Sequence, residues 1–495
     1  MDLRGPRIPD YIALWERVKG QPIQEIRFWA KAEGITRLGI RLADSTEQCH
    51  QSSVPLKPGA DWQLVTLKIR ELVGGEHWGG ANDGKWHGPA AGFGINIGKE
   101  GAPKKSLWID DVEIVLGPIN DARPTVHPAV LTPSSCRPGY GVRVTYRWDA
   151  EPMGGDYGVF VHVVNSQGHM VFQADHAPSV STAVWSGRVE YTKLLLAPLD
   201  VADGEYRVVV GLYERASRRA LKPGPGVTAL AGEAYQVGTI KIDSAAPLPK
   251  LGPATLDLTG YSLTFNEEFD GPLSVSRAGP GTRWIAHTPY WGDFGDAGFA
   301  DPTDGFPFTT EKGILRIEAR KQANGRWQAG LLASVDTNGN GFSQKYGYFE
   351  CRAKFPKGPG MWPAFWLMGV KGIKDKTITN PEIDVIEQYS AIPYCHTSTV
   401  HLWGPDKKHT AEGEAFVVPS MTDDFHTYGA LVDEKHIVIY FDKVELWRSK
   451  TPDAAKVPLY VMVNLAMGSG WPIDKAPNPS SMYVDYVKVW AKDTK

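Results

Sequence analysis

Apolar and polar residues alternate with a period of two along almost the whole chain, in short runs cut by Gly, Pro and Asp turns. IQEIRFWAKA at 23–32, RLGIRLAD at 37–44, GFGINIG at 92–98 and SLWIDDVEIVL at 106–116 form a first group. VRVTYRW at 142–148, YGVFVHVVN at 157–165 and EYRVVVGLYE at 205–214 form a second. A third runs from ILRIEARK at 314–321 to MYVDYVKVWA at 482–491. A period of two places successive side chains on opposite faces of a strand, and no stretch shows a sustained helical period. The fold class is therefore all-β, with three β-sandwich domains over residues 1–118, 119–249 and 250–495. The Pro-containing stretches GPINDARP at 117–124 and AAPLPKLGPATLDL at 245–258 mark the borders.

One stretch breaks the alternation in an informative way. In PEIDVIEQYS, residues 381–390, Glu382 and Asp384 share one face while Ile383 and Val385 take the other. Strict counting sends Glu387 into the apolar layer, where an unpaired charge costs several kcal/mol. One β-bulge restores Glu387 to the face of the other two acids. Glu382 and Glu387 then stand roughly 13 Å apart at Cα, at about 3.3 Å per residue. Side chains leaning together leave a carboxyl gap of roughly 5 Å, the spacing of a retaining glycosidase. Three close carboxylates in a partly dry site cannot all stay charged, so one holds a proton near neutral pH. Glu387 is the candidate acid, and Asp384 is expected to hydrogen-bond Glu382. A charged strand face without chemistry is the alternative for the ten residues taken alone.

Composition narrows the partner more than the chemistry. The chain has 495 residues, 42% hydrophobic and 22% charged, with net charge −3, which excludes a disordered chain and gives nucleic acid no basic footprint. Seventeen tryptophans offer flat faces of the kind sugar rings pack on, or that fill aromatic cores. The four cysteines, Cys49, Cys136, Cys351 and Cys395, show neither zinc spacing nor a disulfide framework. No apolar run reaches the ~18 residues of a membrane span, and the first ten residues lack a signal-peptide core.

The final third carries a series of motifs: FNEEFDG at 265–271, YGYFECRAKFP at 346–356, GMWPAFWLMG at 360–369, EIDVIE at 382–387, DDFHTYGALVD at 423–433, PLYVMVNLAMGSGWP at 458–472 and VDYVKVW at 484–490. In that order they resemble glycoside hydrolase family sixteen, of the laminarinase and lichenase type. The resemblance implies a bent β-jelly-roll with a substrate cleft across its concave sheet. It makes Glu382 the nucleophile, Asp384 its helper and Glu387 the acid/base, with no catalytic cofactor. It also implies a structural calcium, for which Glu268 and Asp485 are the matching oxygen ligands. The first two segments resemble jelly-roll carbohydrate-binding and immunoglobulin-like modules of polysaccharide enzymes. Trp62, Trp78 and Trp86 of the first offer either a sugar platform or core packing.

Period-two counting nominates further cleft residues. Trp362 and Trp366 share a face and are expected to stack successive sugars, with Phe365 and Leu367 entering the core. His401 and Trp403 share a face on the next strand, where His401 meets Glu387 or a sugar hydroxyl unless it is simply buried. Asn464 interrupts the apolar run VMVNLAMG and is assigned a sugar contact, and Trp471 the cleft rim. Arg352 reaches substrate or belongs to a salt-bridged face.

The chain is thus expected to be a monomeric, secreted or periplasmic retaining endo-β-glycanase acting on a β-1,3- or mixed β-1,3/1,4-glucan, with no nucleic-acid partner. Depolymerisation of a bacterial exopolysaccharide, transglycosylation and carbohydrate binding without catalysis are the alternatives.

Overall fold

The computed structural model describes residues 11–493 except positions 22, 58, 60, 69–70, 72–75, 83, 85, 88, 99–104, 117–122, 152, 154–155, 179, 183–184, 215–216, 291 and 406–408. Described secondary structure is strand throughout, apart from short 3₁₀ turns. None of its helices is long and apolar enough to cross a membrane. Backbone contacts divide the chain into two compact units. One comprises Met1–Ser134, Arg143–Lys193 and Glu205–Ile240, the other Ser135–Val142, Leu194–Gly204 and Lys241–Lys495. The expected border at 118–119 lies outside the described residues. The one at 249–250 lies between the strands Ala234–Ile242 and Tyr261–Glu267.

In the first segment a five-stranded sheet and a three-stranded sheet close over one core. Ile26 and Phe28 of Ile23–Glu33 and Leu38 and Ile40 of Arg37–Ala43 are completely buried there. Strands from 125 to 242 form two further sheets, in which Val144, Trp148, Val159, Val161 and Val163 are completely buried.

The last segment is built from two larger sheets. One runs Trp327–Ala333, Leu459–Met467, Met361–Gly369, Asn380–Glu387, Cys395–Trp403, His409–Val417, all antiparallel neighbours. The other is centred on Ser480–Lys492 and Gly347–Lys354, continuing through His426–Val432, His436–Phe441 and Val444–Lys450. Between them lies a core in which Phe365, Leu367, Ile383, Val385, Val461 and Val463 meet Phe349, Cys351, Ile439, Val484 and Val487. Each side chain of that size contributes roughly 1.5–3 kcal/mol on full burial.

Every residue of Leu459–Met467 is buried, because both faces of this strand are covered. Val461, Val463 and Leu465 enter the core between the sheets; Tyr460, Met462 and Ala466 enter a second apolar layer with Trp366, Met368, Phe294 and Phe299. That second layer lies under the loop connecting Trp284–Ile285 to Gly298–Phe299. Gly295, at φ 76°, sits so close that a Cβ there would collide with the Met467 carbonyl oxygen, while the next amide, Asp296 N–H, donates to that oxygen at 2.9 Å.

Candidate active site

The carboxylate strand Asn380–Glu387 carries the bulge that its sequence demands. Phe365 pairs with Ile386 and Trp366 with Asp384, so Val385 is the extra residue. On the other edge, Asp384 pairs with Thr399 and Glu387 with Thr397, again one residue out of step. Val385 and Ile386 both enter the core and are 0% exposed, which brings Glu387 back to the face of Glu382 and Asp384.

Each acid has neutral or imidazole partners. Trp403 Nε1 donates to Glu382 Oε2 at 2.9 Å. Trp362 Nε1 and the Tyr389 hydroxyl both donate to Glu387 Oε1, at 3.0 and 3.1 Å. His401 Nε2 lies 3.1 Å from Asp384 Oδ2. A ligand atom of each of Glu382, Asp384 and His401 falls within 4.8 Å of the others. The expected hydrogen bond from Asp384 to Glu382 is replaced by this approach to His401, and His401 meets Asp384 rather than Glu387. The register explains both. Glu382 is directly opposite His401 and Asp384 opposite Thr399, so Trp403 and His401 each reach one pair diagonally across the strands.

Burial raises all three carboxyls. Glu382 is pushed up to about 8, by desolvation first and the neighbouring Asp384 second. Asp384, the most enclosed, is pushed well above the ordinary aspartate range by desolvation and then by Glu387. Desolvation also raises Glu387, against the opposing pull of the Trp362 and Tyr389 donors. Three acids this close influence one another's protonation, and burial favours the neutral form of each.

The remaining nominated residues separate clearly. Trp403 is 41% exposed and, with Tyr290, Met368, Asp375, Lys376 and Asn380, lines a cavity of about 230 Å³. Trp362 is half-buried and stacks over Tyr389, with centroids 6.1 Å apart. Trp471 is exposed on the loop after Leu459–Met467, a loop from which Ser469 bonds Tyr389.

Trp366 and Asn464 do not line an open surface. Trp366 is buried edge-on against Phe294, and its Nε1 donates to Asn464 Oδ1 at 2.7 Å, while Asn464 Nδ2 donates to the Trp362 carbonyl at 3.4 Å. Asn464 is 0% exposed, so it supports the two tryptophans instead of touching sugar.

Arg352 does not reach the face of the carboxylate strand. It lies on the second sheet, where Phe349, Cys351 and Ala353 point into the core, so its side chain emerges on the face away from the carboxylate strand. There it pairs with Asp485 at 2.5 Å and lies over Phe425. Asp485 is thereby engaged by a cation, as is Glu268 by Lys488 at 2.7 Å, so these two do not fit a calcium cradle.

Two supporting residues escaped the sequence reading. Tyr389 lies two positions beyond Glu387, a spacing that alternation alone would have flagged. His409 bonds His401 and stacks under Trp403, a contact that comes from the antiparallel pairing of Cys395–Trp403 with His409–Val417.

Comparison with known proteins places this geometry in a lineage. The model for "Glycosyl hydrolases family 16" matches residues 307–488. The chain is 32% identical over 263 residues to the endo-1,3-1,4-beta-glycanase EglC of Rhizobium meliloti (strain 1021), covering 48% of this chain and 53% of that protein. It is 36% identical over 197 residues to ExsH of the same organism, also an endo-1,3-1,4-beta-glycanase, covering 38% and 40%. The chain thus spans about half or less of the length of these two relatives. A beta-glucanase of Rhodothermus marinus is 30% identical over 197 residues, covering 36% of this chain and 68% of that protein. The family match spans the bulged acid strand, and with a relative 30% identical matched over two thirds of its length, the chain belongs to the glycosyl hydrolases of family 16.

Proposed function

We propose that this protein is a retaining endo-β-glycanase that cleaves β-1,3- or mixed β-1,3/1,4-glucan outside the cytoplasm, where such polymers are met. The observation that carries the reading is the bulge at Val385, which gathers Glu382 and Glu387 on one face with all three carboxyls raised by burial. The glycanase and glucanase activities of the Rhizobium and Rhodothermus relatives support the substrate class.

The hydrogen bonds divide the work within each glutamate. Both donors to Glu387 converge on Oε1, so the acidic proton sits on Oε2 and faces the leaving glycosidic oxygen. Trp403 occupies Oε2 of Glu382, leaving Oε1 to attack the anomeric carbon. As that C–O bond forms, Glu387 delivers its proton to the departing oxygen. Water then enters, gives a proton to the Glu387 carboxylate and displaces Glu382. One negative charge moves from Glu382 to Glu387 and back, a load that a partly dry site can carry where three charges would not.

Sizing the products formed from laminarin, mixed-linkage glucan and acidic bacterial exopolysaccharides tests the proposal. Short oligosaccharides from the glucans, absent with Glu382→Gln, are expected. Cleavage of exopolysaccharide alone would replace the substrate assignment, longer products would indicate transglycosylation, and binding without cleavage would reject the enzyme reading.

A further inference from the structure

Trp403 and His401 hold the acid pair Glu382 and Asp384, and both lean on one exposed residue outside the acid set. His409 begins the strand His409–Val417 and lies directly opposite Trp403 in the hairpin. Its ring stacks on the Trp403 indole at 3.9 Å between centroids and 13° between planes. Its Nε2 lies 2.8 Å from His401 Nδ1. His401 and Trp403 are themselves near-parallel, 18° apart in plane, so the three rings form one stacked group. From this group two polar atoms project towards the acids: Trp403 Nε1 to Glu382 and His401 Nε2 to Asp384.

We infer that His409 is a positioning residue for the hydrolytic step, a common support that fixes the His401 tautomer and the Trp403 ring plane and so aims their N–H groups at Asp384 and Glu382. The inference rests on the proposed roles of those acids. A neutral imidazole has one N–H and one bare nitrogen. Asp384 Oδ2 is buried and completes no hydrogen bond, and His401 Nε2 stands 3.1 Å away, so an N–H on that nitrogen turned onto the oxygen would satisfy it. Nδ1 must then accept, and His409 Nε2–H is the group placed to donate. The same His409 ring forms the floor of Trp403, whose other surroundings include the open cavity beside Tyr290. Without that floor the indole is free to tilt, and its hydrogen bond to the attacking glutamate loses direction. Misplacement of reacting groups by about 1 Å costs up to about a hundredfold in rate.

The test uses the full chain and three variants. His409→Ala removes both supports; His409→Phe keeps the stack and loses the nitrogen; His409→Gln keeps a donor and loses the ring. The expected result is a fall in kcat of about ten- to a hundredfold for His409→Ala with KM little changed, and partial recovery in each of the other two. Because His409 is exposed, all three should melt close to the parent. In parallel, ¹⁵N NMR of histidine-labelled protein reads the His401 tautomer without any turnover. His401 should show a protonated Nε2 in the parent and a mixture in His409→Phe. An unchanged tautomer, or a His409→Ala variant with parental kcat, would overturn the inference. An inactive parent with the expected tautomer shift would instead indict the functional proposal.

Discussion

The last segment holds two sets of buried or half-buried acids, on the outer faces of its two sheets, and they are solvated in opposite ways. On the second sheet every acid of the set has a cation or a pair of hydroxyls. Asp485 meets Arg352, Glu268 meets Lys488, Glu318 meets Arg316 and Arg320, and Glu350 accepts from the Tyr348 and Tyr486 hydroxyls. On the carboxylate strand, Glu382, Asp384 and Glu387 have indoles, a phenol and an imidazole, and among the described residues no lysine or arginine pairs with them. The first arrangement neutralises charge and leaves nothing to react. The second leaves charge expensive and proton transfer cheap, which is what an acid and a nucleophile at one site require.

The largest effect separating the two sets is on turnover. Glu382→Gln is expected to lose about 10⁴-fold or more in kcat with oligosaccharide binding retained, measured by product release and calorimetry. Glu387→Gln should lose roughly 10²- to 10⁴-fold, and less on substrates whose leaving group needs no proton. Asn464→Ala, which strips the acceptor from Trp366, should lower stability by roughly 1–3 kcal/mol in denaturant titration and reduce kcat by a smaller factor.

A stability measurement then distinguishes the sets by sign. Glu382 carries a folded-state pKa raised from 4.5 to about 8, so its charge opposes folding increasingly as pH rises through that window and not below it. Glu382→Gln should therefore be more stable than the parent by a few kcal/mol, up to about 4–5, near pH 8, with the gain gone near pH 4. Arg352→Met on the other sheet should do the reverse on a smaller scale. It is expected to lose about 1 kcal/mol or less, since the pair is a third exposed, with kcat unchanged. A drop in kcat with Arg352→Met would return that residue to the cleft.

These contrasts show where the sequence was readable. The bulge was legible because a charged Glu387 has nowhere to go in an apolar layer, and Val385 and Ile386 both occupy that layer. The inward set Phe365 and Leu367 was legible for the same reason. Alternation also placed Arg352 and Asn464 on the outward faces of their strands. It is silent about which sheet a strand joins and about what covers the outer face. Arg352 joined the wrong sheet for a substrate contact, and the loop bearing Phe294 closed over Trp366 and the layer holding Asn464. The cations on Glu268 and Asp485 are likewise partners brought in by strand pairing, with Lys488 and Arg352 far from those acids' own motifs or on another strand. His409 was hidden because its role exists only through two other side chains.

The proposed mechanism requires Glu382 and Glu387 to act from the same face at attacking distance. Proton NMR of the first reducing ends released from a β-glucan tests it most directly. The β-anomer is expected to appear first, with the α-anomer growing only by mutarotation. An α-anomer released first would mean that water, not Glu382, attacks the sugar, and would contradict it.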